Sequence, residues 1–371
     1  MTRTPALTAL AAIVATFTHL PAAAQAAAQA DITACTAIAS DPERLACYDA
    51  ASHRQAPTPA AADAAANEAK QQLKSLVDTH DGARRSDLYT SEDDAIANAG
   101  KGSLLDRRWE LAKGSKLGTW NMRAYKPLYL LPIFWTSSIN PLPHSPNPDN
   151  TVKTPQPLQD IEAKFQLSFK TKAIENLFGD NGDVWMGYTQ SSRWQVYNSG
   201  DSRPFRETNY EPEVLLIFRT NYEIAGWKGR MAGIGINHQS NGRANPLSRS
   251  WNRVMMNVGF DRDNWSLMFR PWFRIPESRG KDDNPDIADY MGRGDVTLVH
   301  VVGRNEFSLM ARHSLRSGDR SHGALQFDWG FPITRQLRGH VQMFDGYGES
   351  MIDYNHRATY LGLGISLLEW Y

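Results

Sequence analysis

Ser240 carries a hydroxyl, His238 an imidazole in the spacing H-x-S, and Asn252 an amide a short way downstream. Together these types can supply a nucleophile, a base to take its proton, and a group that holds the base in one tautomer. Read with period two, Ala232, Ile234, Ile236, His238 and Ser240 share one face of a strand, and Gly233, Gly235, Asn237 and Gln239 the other. After a polar turn, Asn252, Val254, Met256, Val258 and Phe260 line up opposite Trp251, Arg253, Asn257 and Gly259. The polar groups thus continue the apolar stripe, where solvation alone would place them on the opposite side. An incidental strand-end turn leaves that parity unexplained. Paired as a hairpin, the two runs bring all three side chains to one rim. Because Asn252 is neutral, it cannot stabilise an imidazolium as a carboxylate does, so further electrostatic help must come from elsewhere.

The elements that must position this group begin beyond Gly114, where aromatic-rich alternating segments are separated by Gly, Pro, Asn and Asp clusters. Twelve candidate strands cover roughly 118–137, 160–172, 182–193, 211–223, 228–240, 251–261, 263–276, 288–301, 304–314, 320–331, 335–346 and 357–371. An even number suits a closed single-chain barrel, which satisfies its backbone without water and leaves no edge. In the last strand Leu361, Leu363, Ile365, Leu367 and terminal Tyr371 share one face, and Gly362, Gly364 and Ser366 the other. The expected fold is all-β: a twelve-stranded antiparallel transmembrane β-barrel with an N-terminal periplasmic extension. Periodicity alone also admits a soluble sandwich, which does not account for the terminal strand together with an export signal.

The run H-x-S-N-G-R at His238–Arg243 followed by S-R-S-W-N-R at Ser248–Arg253 resembles the outer-membrane phospholipase A family. Further matches are Tyr125-Lys126-Pro127, the run from Pro204 to Pro212, Asp282-Asp283-Asn284-Pro285-Asp286 and Gly346-Tyr347-Gly348-Glu349-Ser350, so the likeness runs from about Trp109 to Tyr371. The resemblance implies a Ser-His-Asn triad in a twelve-stranded barrel that uses calcium and acts as a homodimer. It assigns the Gly242 amide to the oxyanion. It assigns calcium to the Arg243 carbonyl, the Ser248 hydroxyl and the Ser202 carbonyl of the neighbouring subunit, with hard oxygen ligands as calcium requires. A second family calcium site would use Asp283 and an acidic residue where this chain has Asn245, a departure that weakens it. Gln190 shares the face of Val184, Met186 and Tyr188, where an amide in lipid is costly unless paired; the family places a dimer contact there.

Residues 1–30 read as a signal peptide: Arg3 supplies the positive start, Ala6 to Phe17 is largely apolar, and cleavage fits Ala22-Ala23-Ala24 or Ala28-Gln29-Ala30. Residues 31–111 read as a periplasmic extension, partly disordered, with a Cys35–Cys47 disulfide expected in an oxidising compartment. Residues 112–371 form the barrel domain. Pro141 to Pro157 reads as an extended loop whose prolines prevent regular structure and bind nothing, and Asp282, Asp283 and Asp286 as a solvated turn. The 40 basic and 40 acidic residues cancel, and no basic run supports nucleic-acid binding. No internal segment is long and apolar enough for a spanning helix, but barrel strands average away in hydropathy windows. The expected activity is calcium-dependent, serine-type hydrolysis of membrane phospholipid acyl esters in the outer membrane, releasing fatty acid and lysophospholipid. A pore or a purely structural barrel is the alternative.

Overall fold

Alternating runs become strands that turn most of their apolar side chains outward, the reverse of a soluble sheet. The computed structural model describes residues 34–51, 68, 71, 102–112, 116–278 and 280–371, and the chain divides into two units, Met1–Gly82 and Ala83–Tyr371. In the first, a helix spans Asp41–Ala51 and Cys35 is disulfide-bonded to Cys47. The signal-peptide segment lies outside the described residues.

The second unit holds β1 (Met122–Ala124), β2 (Leu128–Thr136), β3 (Ile161–Ile174), β4 (Asp183–Trp194), β5 (Phe205–Ile224), β6 (Trp227–Ser240) and β7 (Ser250–Arg262). It continues with β8 (Trp265–Ile275), β9 (Gly294–Val302), β10 (Asn305–His313), β11 (Gly323–Pro332), β12 (Arg338–Tyr347) and β13 (Arg357–Leu368). β1 and β2 both pair with β3, so they are one strand interrupted at Tyr125–Pro127, where Pro127 has no N–H to give the ladder. Each strand pairs antiparallel with its sequence neighbour, and β13 pairs with β2. The result is a closed twelve-stranded antiparallel barrel, as the alternation predicted.

Outside, Ile234, Ile236, Met256 and Leu363 stay 44–59% exposed, a cost in water and none in lipid. Inside, charges are buried and paired: Lys164 and Arg193 meet Glu349 at 2.7 and 2.6 Å, and Arg206 bridges Glu162 and Asp353. Such pairs fix geometry more than they add stability, because desolvation offsets much of their attraction. Connections at one end are tight, such as Ala225–Gly226 and Asp263–Asn264, whereas β6–β7, β8–β9 and β12–β13 are joined by long loops at the other. Barrels of this kind carry short turns on the periplasmic side and long loops outside.

Three boundaries differ from expectation. Residues 104–111 belong to the barrel interior and not to a solvated extension: a helix at Leu104–Trp109, N-capped by Ser103, packs Leu105, Trp109 and Leu111 against Tyr125, Trp185, Leu215, Ile217 and Met231. Trp109 stands edge-on to Trp185 at 5.8 Å, the Lys170 ammonium lies 3.4 Å from its ring centre, and Asp261 accepts from the Leu105 amide at 2.9 Å. Six helical residues are too few to show a period. The expected start of the eighth strand at 288 is instead a helical turn, Ile287–Tyr290, and the strand, β9 here, begins at Gly294. β5 starts at Phe205, earlier than 211, because the polar run before Pro212 faces the filled lumen and not solvent.

Candidate active site

β6 and β7 pair so that His238 lies directly opposite Asn252 and Ser240 opposite Ser250. His238 Nδ1 and Asn252 Oδ1 are 2.8 Å apart. Ser240 follows on the same face, nearer the loop; among the described residues no hydrogen bond joins its hydroxyl to His238. His238 is exposed, and Ser240 and Asn252 are half-buried, on the outer face shared with Ile236 and Met256. On the reverse face Arg253 donates to Asn237 at 2.6 Å and to Gln239 at 3.2 Å, and Trp251 donates to Gln239 at 2.9 Å. This lumenal lattice rivets the hairpin that presents the outer groups.

The β6–β7 loop is organised by Asn241, which is buried. Its Oδ1 accepts from the Arg249 amide at 2.9 Å and its Nδ2 donates to the Leu247 carbonyl at 2.8 Å. Gly242 then takes φ +61°, and a Cβ there would come within 3.0 Å of the Tyr210 ring, so glycine is required. Arg243 and Asn245 are exposed and Ser248 is half-buried.

Two other loops close on this one. Ser248 Oγ donates to Asp283 Oδ2 at 2.6 Å. Asn150 is fully buried; its Nδ2 donates to Asn245 Oδ1 and to the Ser248 carbonyl, both at 3.0 Å, and its carbonyl accepts from Arg249 at 2.9 Å. Ser145 donates to the Asp283 carbonyl at 2.6 Å and Asn147 to that of Asp282 at 2.9 Å. The proline-rich loop, expected to hold nothing, therefore clamps both neighbours. Nor is the aspartate run solvated: Asp282 is buried and paired with Arg274 at 2.6 Å. Burial and a hydrogen-bonded Tyr354 set Asp286, whose carboxyl lies above the usual carboxylate range through burial.

The donor set suits a hard cation. Ser248 gives its proton to Asp283, which leaves the hydroxyl lone pairs free, and the buried Asn150 Oδ1 has no hydrogen-bond partner among the described residues. No group of three or more His, Cys, Asp or Glu side chains clusters among the described residues, so the set is one of carbonyl, hydroxyl and single-carboxylate oxygens. Elsewhere, Ser202 lies exposed in the β4–β5 loop at φ +57°. Gln190 lies on the outer face of β4, where its carbonyl accepts from Tyr188 at 3.1 Å.

Two residues of this region escaped sequence reading. Asn150 sits in a loop whose composition signals only irregularity. Glu277, just past β8, accepts from Asn252 Nδ2 at 3.4 Å; burial, reinforced by Asp282 and Asp283, raises its carboxyl above the ordinary range, while Arg274 opposes the rise. No local spacing marks it.

Comparison with known proteins gives a consistent result. The phospholipase A1 family model matches residues 105–367. A relative from Neisseria meningitidis serogroup B is 37% identical over 89% of both chains, and the phospholipase A1 of Escherichia coli K12 is 40% identical over 56% of this chain and 69% of its own. The solved outer-membrane phospholipase A of Escherichia coli superimposes with a TM-score of 0.60 at 34% identity, covering 68% of this chain and all of that one. The Salmonella typhi outer-membrane phospholipase, solved as a dimer with bound calcium, gives 0.62 at 33% identity, covering 71% and 99%. With this fold and a family model that matches residues 105–367, the chain belongs to the phospholipase A1 family.

Proposed function

We propose that this barrel is a calcium-dependent, serine-type phospholipase A of the outer membrane. It would hydrolyse acyl esters of membrane phospholipids at either acyl position (phospholipase A1 or A2), act on lysophospholipids by the same chemistry, and work as a homodimer. The observation that carries this reading is the 2.8 Å contact between His238 and Asn252 on the outer, apolar face, where an acyl ester can arrive sideways from lipid. The plugged lumen counts against a pore.

In this mechanism Asn252 Oδ1 accepts the Nδ1–H of His238, which leaves Nε2 as the base. Nε2 takes the Ser240 proton as Oγ attacks the ester carbonyl and returns it to the leaving alcohol; water, deprotonated by the same nitrogen, then cleaves the acyl–Ser240 ester, which frees the fatty acid and restores the serine hydroxyl. The Gly242 N–H receives the developing oxyanion. Bound calcium, held by the Arg243 carbonyl, the Ser248 hydroxyl and the partner subunit's Ser202, would supply positive charge beside that oxyanion. Asp283 orients the Ser248 hydroxyl, and the weaker second site remains with Asp283 and Asn245. Gln190 would pair with its copy across the dimer axis, where its NH2 group finds an acceptor. A cleaved signal peptide at 1–30 and a periplasmic segment up to residue 101 complete the proposal.

The test is hydrolysis of phospholipid in mixed micelles by the purified protein, with calcium and with chelator. Calcium-stimulated release of fatty acid is expected; turnover unchanged in excess chelator would refute the calcium-dependent reading.

A further inference from the structure

His238, Asn252 and Ile275 form one cross-strand row over β6, β7 and β8, and Glu277 takes the next outward position beyond Ile275. The row is continued by hydrogen bonds: His238 Nδ1 to Asn252 Oδ1 at 2.8 Å, then Asn252 Nδ2 to Glu277 Oε1 at 3.4 Å. A carboxylate can only accept. It therefore fixes which end of the Asn252 amide faces it: the NH2 must point to Glu277 and the carbonyl to the imidazole. With the carbonyl so placed, Nδ1 must carry the proton and Nε2 is left basic. A neutral amide alone has no such preference, because either end could meet a histidine nitrogen.

The charge matters as well as the orientation. An amide with a carboxylate at its N–H end is polarised, and its oxygen gains negative character, since hydrogen-bonded chains strengthen one another by roughly 10–30% per bond. The deficit that a neutral third member creates is thereby partly offset. We propose that Glu277 is a positioning residue of the hydrolytic site: its carboxylate orients the Asn252 amide and lends negative charge to the oxygen that holds His238. The proposal rests on the serine-type reading above. The charged groups facing Glu277 are Arg274, on the preceding strand, and Asp282 and Asp283, across the β8–β9 loop; the two acids keep Arg274 from neutralising it alone, and Arg274 is itself paired with Asp282.

Glu277→Gln and Glu277→Ala separate the two roles in the full-length, calcium-loaded protein. Gln keeps an accepting oxygen and removes the charge, whereas Ala removes both. For Glu277→Gln, kcat should fall roughly fivefold with KM unchanged, and the acid limb of the kcat–pH profile should move to lower pH. The direction follows because removing an anion disfavours the protonated form of a base near it. Glu277→Ala should lose more, roughly thirtyfold, as the amide becomes free to turn. The labelling rate of Ser240 by a serine-reactive probe should fall in step, and the gel-mobility shift of the heated barrel reports folding. Wild-type kcat and an unmoved pH profile in both variants would overturn the proposal, as would a change confined to KM, which would make Glu277 a lipid contact. Should Ser240→Ala retain hydrolysis, the serine reading itself fails; should Ser240→Ala be inert and both Glu277 variants normal, only the positioning role falls.

Discussion

The Ser248 hydroxyl donates to the Asp283 carboxylate across 2.6 Å, joining the β6–β7 loop to the β8–β9 loop. A serine held this way keeps its lone pairs in one direction before any cation arrives. Replacing it by alanine removes one proposed oxygen ligand and one of the ties between the two loops, the pair of Ser250–Asn284 bonds remaining. Ser248→Ala should raise the calcium concentration for half-maximal hydrolysis at least about tenfold, the factor for roughly 1.4 kcal/mol. Calcium titration of fatty-acid release checks this, while the heat-dependent gel shift should be unchanged because no strand depends on the metal.

Asn150 touches the same loop at three points, through Asn245, Ser248 and Arg249. Loss of a fully buried amide that makes these contacts costs about 1–3 kcal/mol locally. Asn150→Ala should therefore weaken terbium binding, used as a luminescent calcium substitute, by roughly tenfold or more. Unaltered terbium affinity would show that the proline-rich loop merely covers the site.

Ser240→Ala removes the proposed nucleophile from an exposed rim where no packing depends on it. Hydrolysis should drop by several orders of magnitude. Circular dichroism and heat modifiability should match the parent protein. Substantial turnover by the purified variant would exclude Ser240 as nucleophile.

Gln190 is a polar group on a lipid-facing strand, with its carbonyl satisfied by Tyr188. Its amide N–H groups gain most from a partner in lipid, where a hydrogen bond between spanning segments is worth about 0.6–2 kcal/mol. Gln190→Leu should reduce calcium-dependent cross-linking of the proposed dimer, with activity falling in parallel as protein is diluted. Equal cross-linking yields at every concentration would remove Gln190 from the interface.

Trp109 packs in the apolar cluster at the short-turn end, against Trp185 and beneath Lys170. Trp109→Ala should destabilise the barrel by about 3 kcal/mol, read as a lower unfolding midpoint in detergent. Activity per folded molecule should stay the same, since His238, Ser240 and Asn252 lie at the opposite rim.

What the sequence carried was parity. Ile234, Ile236, His238 and Ser240 could be assigned to one face without coordinates because a strand has an invariant period, and the opposite pairing of His238 and Asn252 follows from a single hairpin register. Loop contacts have no such period. Asn150 meets Ser248 over ninety-eight positions of chain, and Glu277 meets Asn252 only because β8 ends where it does, so neither left a local mark. Aspartates 282 and 283 looked solvated because composition cannot show that Arg274 and Ser248 are waiting for them. The plug failed for a different reason: its few apolar residues are diluted in a polar stretch, and only a closed lumen gives them somewhere to go.

That plug, residues 104–111, binds partners on both sides of the β2–β13 seam: Lys170 of β3, Trp185 of β4, Arg230 of β6 and Asp261 of β7, while Arg108 donates to the Glu369 carbonyl beyond β13. β3 to β7 lie on one side of the seam and the end of β13 on the other, and the two groups adjoin only through the pairing of β13 with β2. The plug can lodge fully only after the seam has shut. Protection of residues 104–111 from protease would therefore act as a clock for assembly, registering the moment at which an open, curved sheet becomes a finished cylinder.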